Sequence, residues 1–255
     1  FTPWMDIVAL FPLLMLALDR LLTTGKKLFY IFMVALSFII NYYLSAMALI
    51  YVFLVSGVYI LLLCERKEWK KHAWNLGIGT VAGMGLSCFV LIPVFMQLSG
   101  SQRGNAGGSI VSQYLGWIKG AIVTDGSMAA FQRYMMLYGL SFVLAVILIG
   151  LKKYKEDKKM CRVMACLLGI ALLPMFVEGI NLMWHFGSYN GYTLRNGFLI
   201  AFTLLCMGAY YAQKMFADMP LEKKYIKRQI VIAAVMCLVY AAGYLLIPQN
   251  NEIIA

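Results

Sequence analysis

The sequence is poor in charged residues and in histidine. Only 13% of its residues are Asp, Glu, Lys or Arg, and its two histidines are His72 and His185. A soluble domain has about a quarter of its residues charged, so this composition excludes an ordinary soluble protein. The motifs by which soluble enzymes bind phosphate, transfer acyl groups or hold zinc are also missing. The six cysteines lie mostly in apolar runs and show no metal-ligand spacing.

The hydrophobic content is correspondingly high and predicts an integral membrane protein. Hydrophobic residues make up 62% of the 255-residue chain, and its mean hydropathy is +0.79. Several apolar runs approach the roughly 20 residues that a helix needs to cross a hydrocarbon core of about 30 Å. We therefore predict an all-α, polytopic transmembrane helix bundle with about eight membrane segments. The predicted segments are 4–22, 28–40, 46–64, 75–98, 134–151, 161–177, 197–212 and 229–247.

Three local signals refine these segments. Residues 41–45 interrupt an apolar stretch that is too long for one span, and they predict a junction between two spans. Gly79-x-x-x-Gly83 forms a small-residue face that lets another helix approach closely, and packing within the same chain is favoured over a dimer. Pro93 predicts a bend near the end of the fourth segment.

We interpret residues 1–255 as a single transmembrane domain. The chain starts Phe1-Thr-Pro-Trp, without an initiator Met or the basic region of a signal peptide, so we expect a fragment of a longer protein. The longest hydrophilic interval, residues 99–133, predicts an extracytoplasmic loop. Within it, residues 110–123 are amphipathic enough to form a helix on the membrane surface.

The net charge of +11 arises from basic clusters beside the predicted spans. With alternating crossings, 18 of the 22 Lys and Arg residues fall on one side, which identifies that side as cytoplasmic. This distribution favours a topology signal over nucleic-acid binding. It places Asp6, residues 99–133 and residues 178–195 together on the extracytoplasmic side. It also separates His72 from His185, which argues against a metal site built from both.

The polar stretch 178–195 is the leading candidate for a functional site. It supplies a carboxyl group from Glu178, an imidazole from His185 and a guanidinium from Arg195. Arginine matches phosphate oxygens in a bidentate geometry. Arg195, with Arg103 on the same predicted side, is therefore expected to bind a lipid-linked phosphate.

A structural interpretation of the same residues stays open. The external cations can extend to lipid headgroups or pair with nearby carboxylates. These cations are Arg103, Lys119, Arg133 and Arg195. The aromatic residues can form an interfacial belt instead of stacking on a sugar. Asn41 and Tyr42 can cap and anchor a helical hairpin instead of binding a ligand.

Four groups of residues, in one order along most of the chain, resemble the YfhO family of bacterial membrane proteins. The first two are Trp4-Met-Asp6 with the segment Leu13 to Leu22, and Leu36-Ser-x-Ile-Ile-Asn41-Tyr-Tyr43. The other two are Leu91-Ile-Pro93 with Ser101-x-Arg103, and Trp184-His185 with Asn190-Gly-Tyr-x-x-Arg195. Phe186, Tyr189 and Leu194 depart from the Gly, Pro and Tyr that the family has at these places.

The resemblance implies a GT-C-like fold and a membrane glycosyltransferase of Gram-positive bacteria. Such an enzyme transfers a sugar from an undecaprenyl-phosphate carrier to an extracytoplasmic cell-wall polymer such as lipoteichoic acid. The family's catalytic acid is expected in an external loop upstream of this chain, so no catalytic residue is assigned. The expected lipid-phosphate ligands are Arg103 and Arg195. The sugar or acceptor pocket is expected to be shaped by Asn41, Tyr42, Glu178, Trp184 and His185.

Two other classes of function remain open. A transporter or flippase for a lipid-linked sugar needs a polar path through the bilayer, and few charges lie inside the predicted spans. A non-catalytic membrane scaffold needs no concave polar site on the external face. In each case the lipid bilayer is a partner, and the sequence predicts no cofactor, no metal and no nucleic acid.

Overall fold

The computed structural model describes residues 5–100, 141–185 and 195–218, together with isolated positions between 224 and 238. All regular elements in these ranges are helices, as the all-α prediction requires. The first five are α1 (Met5–Thr24), α2 (Leu28–Ile40), α3 (Tyr42–Leu62), α4 (Trp69–Leu86) and α5 (Cys88–Gly100). The next four are α6 (Ser141–Lys153), α7 (Lys158–Phe176), α8 (Glu178–Trp184) and α9 (Gly197–Ala217).

The first helix has one face packed against protein and another that suits lipid. Its buried side chains recur at helical spacing and are at most 2% exposed: Ile7, Phe11, Leu14 and Leu18. On the opposite side, Leu13 and Leu16 are both 45% exposed. A large exposed apolar side chain on every turn is costly in water and favourable in a bilayer. The pattern therefore supports a membrane-embedded helix that packs on the chain along one face.

Three helices in the described ranges are long and apolar enough to cross a membrane, and α4 with α5 adds a fourth if that bent pair counts as one span. The three single spans are Asp6–Thr24, Tyr42–Leu62 and Gly197–Ala217. α2 is a shorter apolar helix. The chain is thus a membrane protein with several spanning helices. The number eight and the GT-C-like fold remain predictions, and the predicted interfacial helix at 110–123 lies outside the described residues.

The fourth predicted segment, 75–98, is not one continuous helix. It is broken at Ser87, where the chain bends by 76° between α4 and α5, whereas Pro93 lies inside α5. The Ser87 hydroxyl donates to the Met84 carbonyl at 2.9 Å, and the Ser87 backbone N–H lies 3.1 Å from the same oxygen. A serine that bonds to the carbonyls of the preceding turn competes with the helical ladder and bends the helix.

α2 and α4 pack through the small-residue face of α4. A Cβ added at Gly83 would lie 2.7 Å from the Val34 Cβ, and one at Gly79 would lie 2.8 Å from the Tyr30 ring. Since Cβ atoms do not approach other atoms so closely, this spacing requires glycine. The Tyr30 hydroxyl and the Thr80 hydroxyl, 3.0 Å apart, add a buried hydrogen bond across the interface. The prediction that the Gly-x-x-x-Gly face packs within the chain is confirmed.

The chain divides into two compact units. The first comprises residues 1–123 and 162–200, and the second comprises residues 124–161 and 201–255. The single transmembrane domain over 1–255 therefore stays a prediction. The first unit contains the residues that the sequence singles out for function.

The second unit has a polar cluster at the end of α9. The Asp218 carboxylate accepts hydrogen bonds from the Tyr154 hydroxyl at 2.7 Å and from the Lys153 ammonium at 3.1 Å. These two bonds hold the pKa of the Asp218 carboxyl below its ordinary value of 3.8. Lys214 lies 3.6 Å from the Asp157 carboxylate and adds a second ion pair. This cluster is open to solvent, and its ion pairs and hydrogen bonds account for the arrangement of its side chains.

Candidate functional site

The predicted junction at 41–45 contains one residue outside the helices, Asn41. Its backbone is extended, with φ −153° and ψ 93°, and this conformation separates α2 from α3. The Asn41 side-chain oxygen accepts a hydrogen bond from the Leu44 backbone N–H at 3.1 Å. It thereby satisfies one of the donors that a helix leaves free at its start. Tyr42 and Tyr43 belong to the first turn of α3 and not to a loop.

Tyr43 meets His185 in space although 142 positions separate them along the chain. The Tyr43 hydroxyl and the His185 Nδ1 lie 3.2 Å apart, which is a hydrogen-bond distance. His185 follows directly after α8 and is only 1% exposed. The Tyr43 hydroxyl donates to the His185 Nδ1 if that nitrogen carries no proton, and accepts from it if it does, so the direction depends on the imidazole tautomer.

Arg195 reaches the same tyrosine from the start of α9. Its guanidinium carbon lies 5.3 Å from the centroid of the Tyr43 ring, a cation–π distance. Tyr43 therefore contacts both His185 and Arg195. We call Tyr43, His185 and Arg195 the Tyr43 cluster.

The Tyr43 cluster has the chemistry of an anion-binding site. Arg195 is partly exposed, whereas His185 is enclosed by protein. A guanidinium carries five N–H donors in a planar fork that matches two phosphate oxygens. The arrangement gives a fixed cation, a positioned imidazole and a phenol within one small volume.

A tightly packed wall lies near the cluster. Trp184 and Asn196, the neighbours of His185 and Arg195 in sequence, are both buried. With Tyr51 they line a crevice that is too narrow to hold a water molecule. Such close packing fixes the backbone from which His185 and Arg195 extend. The geometry gives Trp184 a packing role, and its predicted contact with a sugar stays a prediction.

The structure describes only some of the residues that the sequence singles out. Arg195 and His185 come together, as their place in one polar stretch suggested. Tyr42 is 37% exposed and is not a member of the Tyr43 cluster. The backbone of Glu178 begins α8, while its side chain lies outside the described part of the structure. Arg103 and residues 186–194 also lie outside it.

Tyr43 is the functional candidate that the sequence reasoning missed. Both tyrosines stand at the predicted junction 41–45, and the sequence prediction for the pocket names Tyr42. Once α3 is known to begin at Tyr42, helical spacing places Tyr43 on one face with Met47 and Tyr51, which are both buried. That periodicity is the signal that distinguishes the two tyrosines.

The described residues hold no group of three or more His, Cys, Asp or Glu side chains that could bind a metal ion. The Tyr43 cluster itself presents an arginine, a phenol and an imidazole.

Comparison with known proteins gives one match. The family model described as bacterial membrane protein YfhO matches residues 2–254, nearly the whole chain. No curated protein and no solved structure matches.

Proposed function

The chain belongs to the YfhO family of bacterial membrane proteins, and from that premise we propose that it acts in transfer of a sugar from an undecaprenyl-phosphate carrier. The acceptor in this proposal is an extracytoplasmic cell-wall polymer such as lipoteichoic acid. The observation that carries the proposal is the Tyr43 cluster, where His185 and Arg195 converge on the start of a membrane span. A lipid-linked phosphate has its charged group at this depth and its chain in the bilayer.

Arg195 is the residue proposed to bind the carrier phosphate. When the glycosidic bond breaks, negative charge develops on the leaving phosphate, and a preorganised guanidinium stabilises it. The Tyr43 ring holds that guanidinium in place, so little ordering is needed when the substrate binds. Arg103 is proposed as a second phosphate ligand.

The other candidates are proposed to shape the space for the sugar or the acceptor. Buried His185 is suited to fix the position of the Tyr43 hydroxyl, which lies 3.2 Å from its Nδ1. The proposed pocket residues are Asn41, Tyr42, Glu178, Trp184 and His185, and we add Tyr43 because it contacts His185. No residue of this chain is proposed as the catalytic base.

The test is replacement of Arg195 in the full-length protein, expressed in a host that lacks its own copy. Arg195→Ala should reduce wall-polymer glycosylation at least about tenfold, since a charge-assisted phosphate contact is lost. Arg195→Lys keeps the charge but loses the planar fork, so it should restore activity only partly.

Arg20→Ala is the matched control. Arg20 also stacks on an aromatic residue, with its guanidinium 5.6 Å from the centroid of the Phe29 ring, but it lies at the other end of the first unit. Arg20→Ala should leave glycosylation unchanged. Normal glycosylation by a well-expressed Arg195→Ala protein would rule out the assignment.

A further inference from the structure

The first unit contains a roomy cavity far from the Tyr43 cluster. It forms where α1 ends, α2 begins, α3 ends and α4 begins, and its volume is about 590 Å³. Small-molecule sites in proteins have volumes of about 300–1,000 Å³. α3 has 21 residues and is therefore about 30 Å long, so the cavity and the Tyr43 cluster lie at opposite ends of that helix. We call this space the His72 cavity.

Charges of both signs line the His72 cavity. Lys27 and Lys71 contribute two cations, and Glu65 and Glu68 contribute two carboxylates. Glu65 is also ion-paired with Lys67 at 2.7 Å, so Glu68 is the carboxylate more available to a ligand. Glu68 lies 3.9 Å from the His72 Nε2, a loose contact. A ligand of a single charge sign would face repulsion from half of this set. A ligand that carries a negative and a positive group meets a complement for each.

His72 gives the cavity a further polar group. Its ring lies edge-on to Tyr59, which also lines the cavity, with a centroid distance of 6.1 Å. Its Nδ1 is shielded from solvent and has no hydrogen-bond partner among the described residues. This nitrogen is therefore turned away from the open space of the cavity, and the ring contributes to the wall.

The position of the cavity indicates where such a ligand comes from. It lies at the ends of apolar helices that span or enter the membrane, and Leu22 and Leu63 contribute apolar wall beside its polar groups. Lipid headgroups occupy this zone, with acyl chains beyond it. A phospholipid with a protonated amine presents one phosphate and one ammonium group a few bonds apart.

We propose that the His72 cavity binds a phosphoethanolamine group, as carried by a membrane phospholipid. The phosphate pairs with Lys27 and Lys71, and the ammonium pairs with Glu68, beside the Glu65 carboxylate. This inference is independent of the sugar-transfer proposal, because it concerns the opposite end of α3.

The experiment measures lipid binding to the purified full chain in detergent by native mass spectrometry. Phosphatidylethanolamine should bind at least about tenfold more tightly than phosphatidylglycerol, which lacks the amine. Water-soluble glycerophosphoethanolamine forms a second arm. If it binds as tightly as the lipid, the source is a soluble ester, and if it binds more weakly, the source is the membrane. Both results support a phosphoethanolamine site and differ only in its source.

Neighbouring lysines supply a matched pair of variants. Both lysines are exposed, but Lys71 lines the cavity and Lys70 does not. Lys71→Ala should weaken phosphatidylethanolamine binding about tenfold, and Lys70→Ala should leave it unchanged. Glu68→Gln should weaken binding of phosphatidylethanolamine more than that of phosphatidylglycerol, while the exposed Glu156→Gln should weaken neither. Equal effects of the two lysine variants, or equal affinity for the two lipids, would overturn the proposal.

Discussion

The two ends of α3 carry polar groups of different kinds. At its start, the Tyr43 cluster contains one guanidinium, one imidazole and one phenol in direct contact. At its end, the His72 cavity contains two lysines and two glutamates around an open space of about 590 Å³. The first arrangement is close-packed and cationic, and the second is spacious and balanced in charge.

The difference shows how a membrane protein can separate tasks along one helix. A single arginine held against an aromatic ring is preorganised for an anion and gives no complement to a cation. A cavity with both signs discriminates by the arrangement of charge in its ligand. Each end can thus be altered without changing the chemistry of the other, unless the helices that join them are disturbed.

The largest effect is expected at the interface that joins both ends, between α2 and α4. Gly83→Ala places a methyl group against Val34 and should lower the free energy of unfolding by about 1–3 kcal/mol. Both lipid binding at the cavity and glycosylation should fall. Gly85→Ala is the control, because nothing lies within 4 Å of its added Cβ, and it should stabilise the helix slightly. Thermal unfolding in detergent measures both, and equal melting temperatures would contradict the packing argument.

A smaller effect, confined to one end, is expected from the residue that caps α3. Asn41→Ala removes the hydrogen bond to Leu44 and should cost about 1 kcal/mol in the free energy of unfolding. Asn41→Asp retains a capping oxygen and should cost less. Lipid binding at the His72 cavity should not change in either variant. If Asn41→Ala weakens that binding as much as it weakens glycosylation, the two ends are not separate.

The coupling inside the Tyr43 cluster is expected to be weaker still. A double-mutant cycle with Tyr43→Leu and Arg195→Ala should give a coupling free energy of about 0.5–1 kcal/mol from the cation–π contact. A second cycle uses Tyr43→Phe, which keeps the aromatic ring and so does not remove the cation–π contact. That cycle should therefore report a much smaller coupling free energy. Chemical denaturation of the four proteins measures it. Tyr42→Phe, at an exposed neighbour, is the control and should show no coupling to Arg195.

The smallest effect is expected from the ion-paired cluster of the second unit. Because this cluster is not part of the Tyr43 cluster or the His72 cavity, it serves as a reference for variants at either site. The pKa of the Asp218 carboxyl is lowered in the folded protein, chiefly by the Tyr154 hydrogen bond. The ionised Asp218 carboxylate therefore stabilises the folded protein fully above the ordinary pKa of 3.8. This contribution is lost as the pH falls through the lower pKa that the carboxyl has in the folded protein. Asp218→Asn should remove this part of the acid sensitivity of the melting temperature.

Much of the helix pattern could be predicted from the sequence, because apolar length and small-residue spacing are local signals. The break at Asn41 and the packing of Gly79 and Gly83 are confirmed. The break at Ser87 was not predicted, since Pro93 gave the more conspicuous signal. A serine competes for carbonyls of the preceding turn only in a particular side-chain geometry, which a sequence does not display.

The candidate site was less predictable, because it depends on contacts between distant segments. His185 and Arg195 were found from residue type and from their place between apolar runs. Tyr43 was missed, since two adjacent tyrosines can be ranked only after the first residue of the helix is known. The His72 cavity was not foreseen either, because its walls come from two separate connections between helices.

The contact between Tyr43 and His185 also constrains the parity of membrane crossings. Tyr43 begins a span, and a hydrogen-bond distance of 3.2 Å puts His185 at the same face of the bilayer. The number of crossings between these residues must then be even. α3 itself crosses once, so the chain that follows Leu62 has to cross back an odd number of times before it reaches His185.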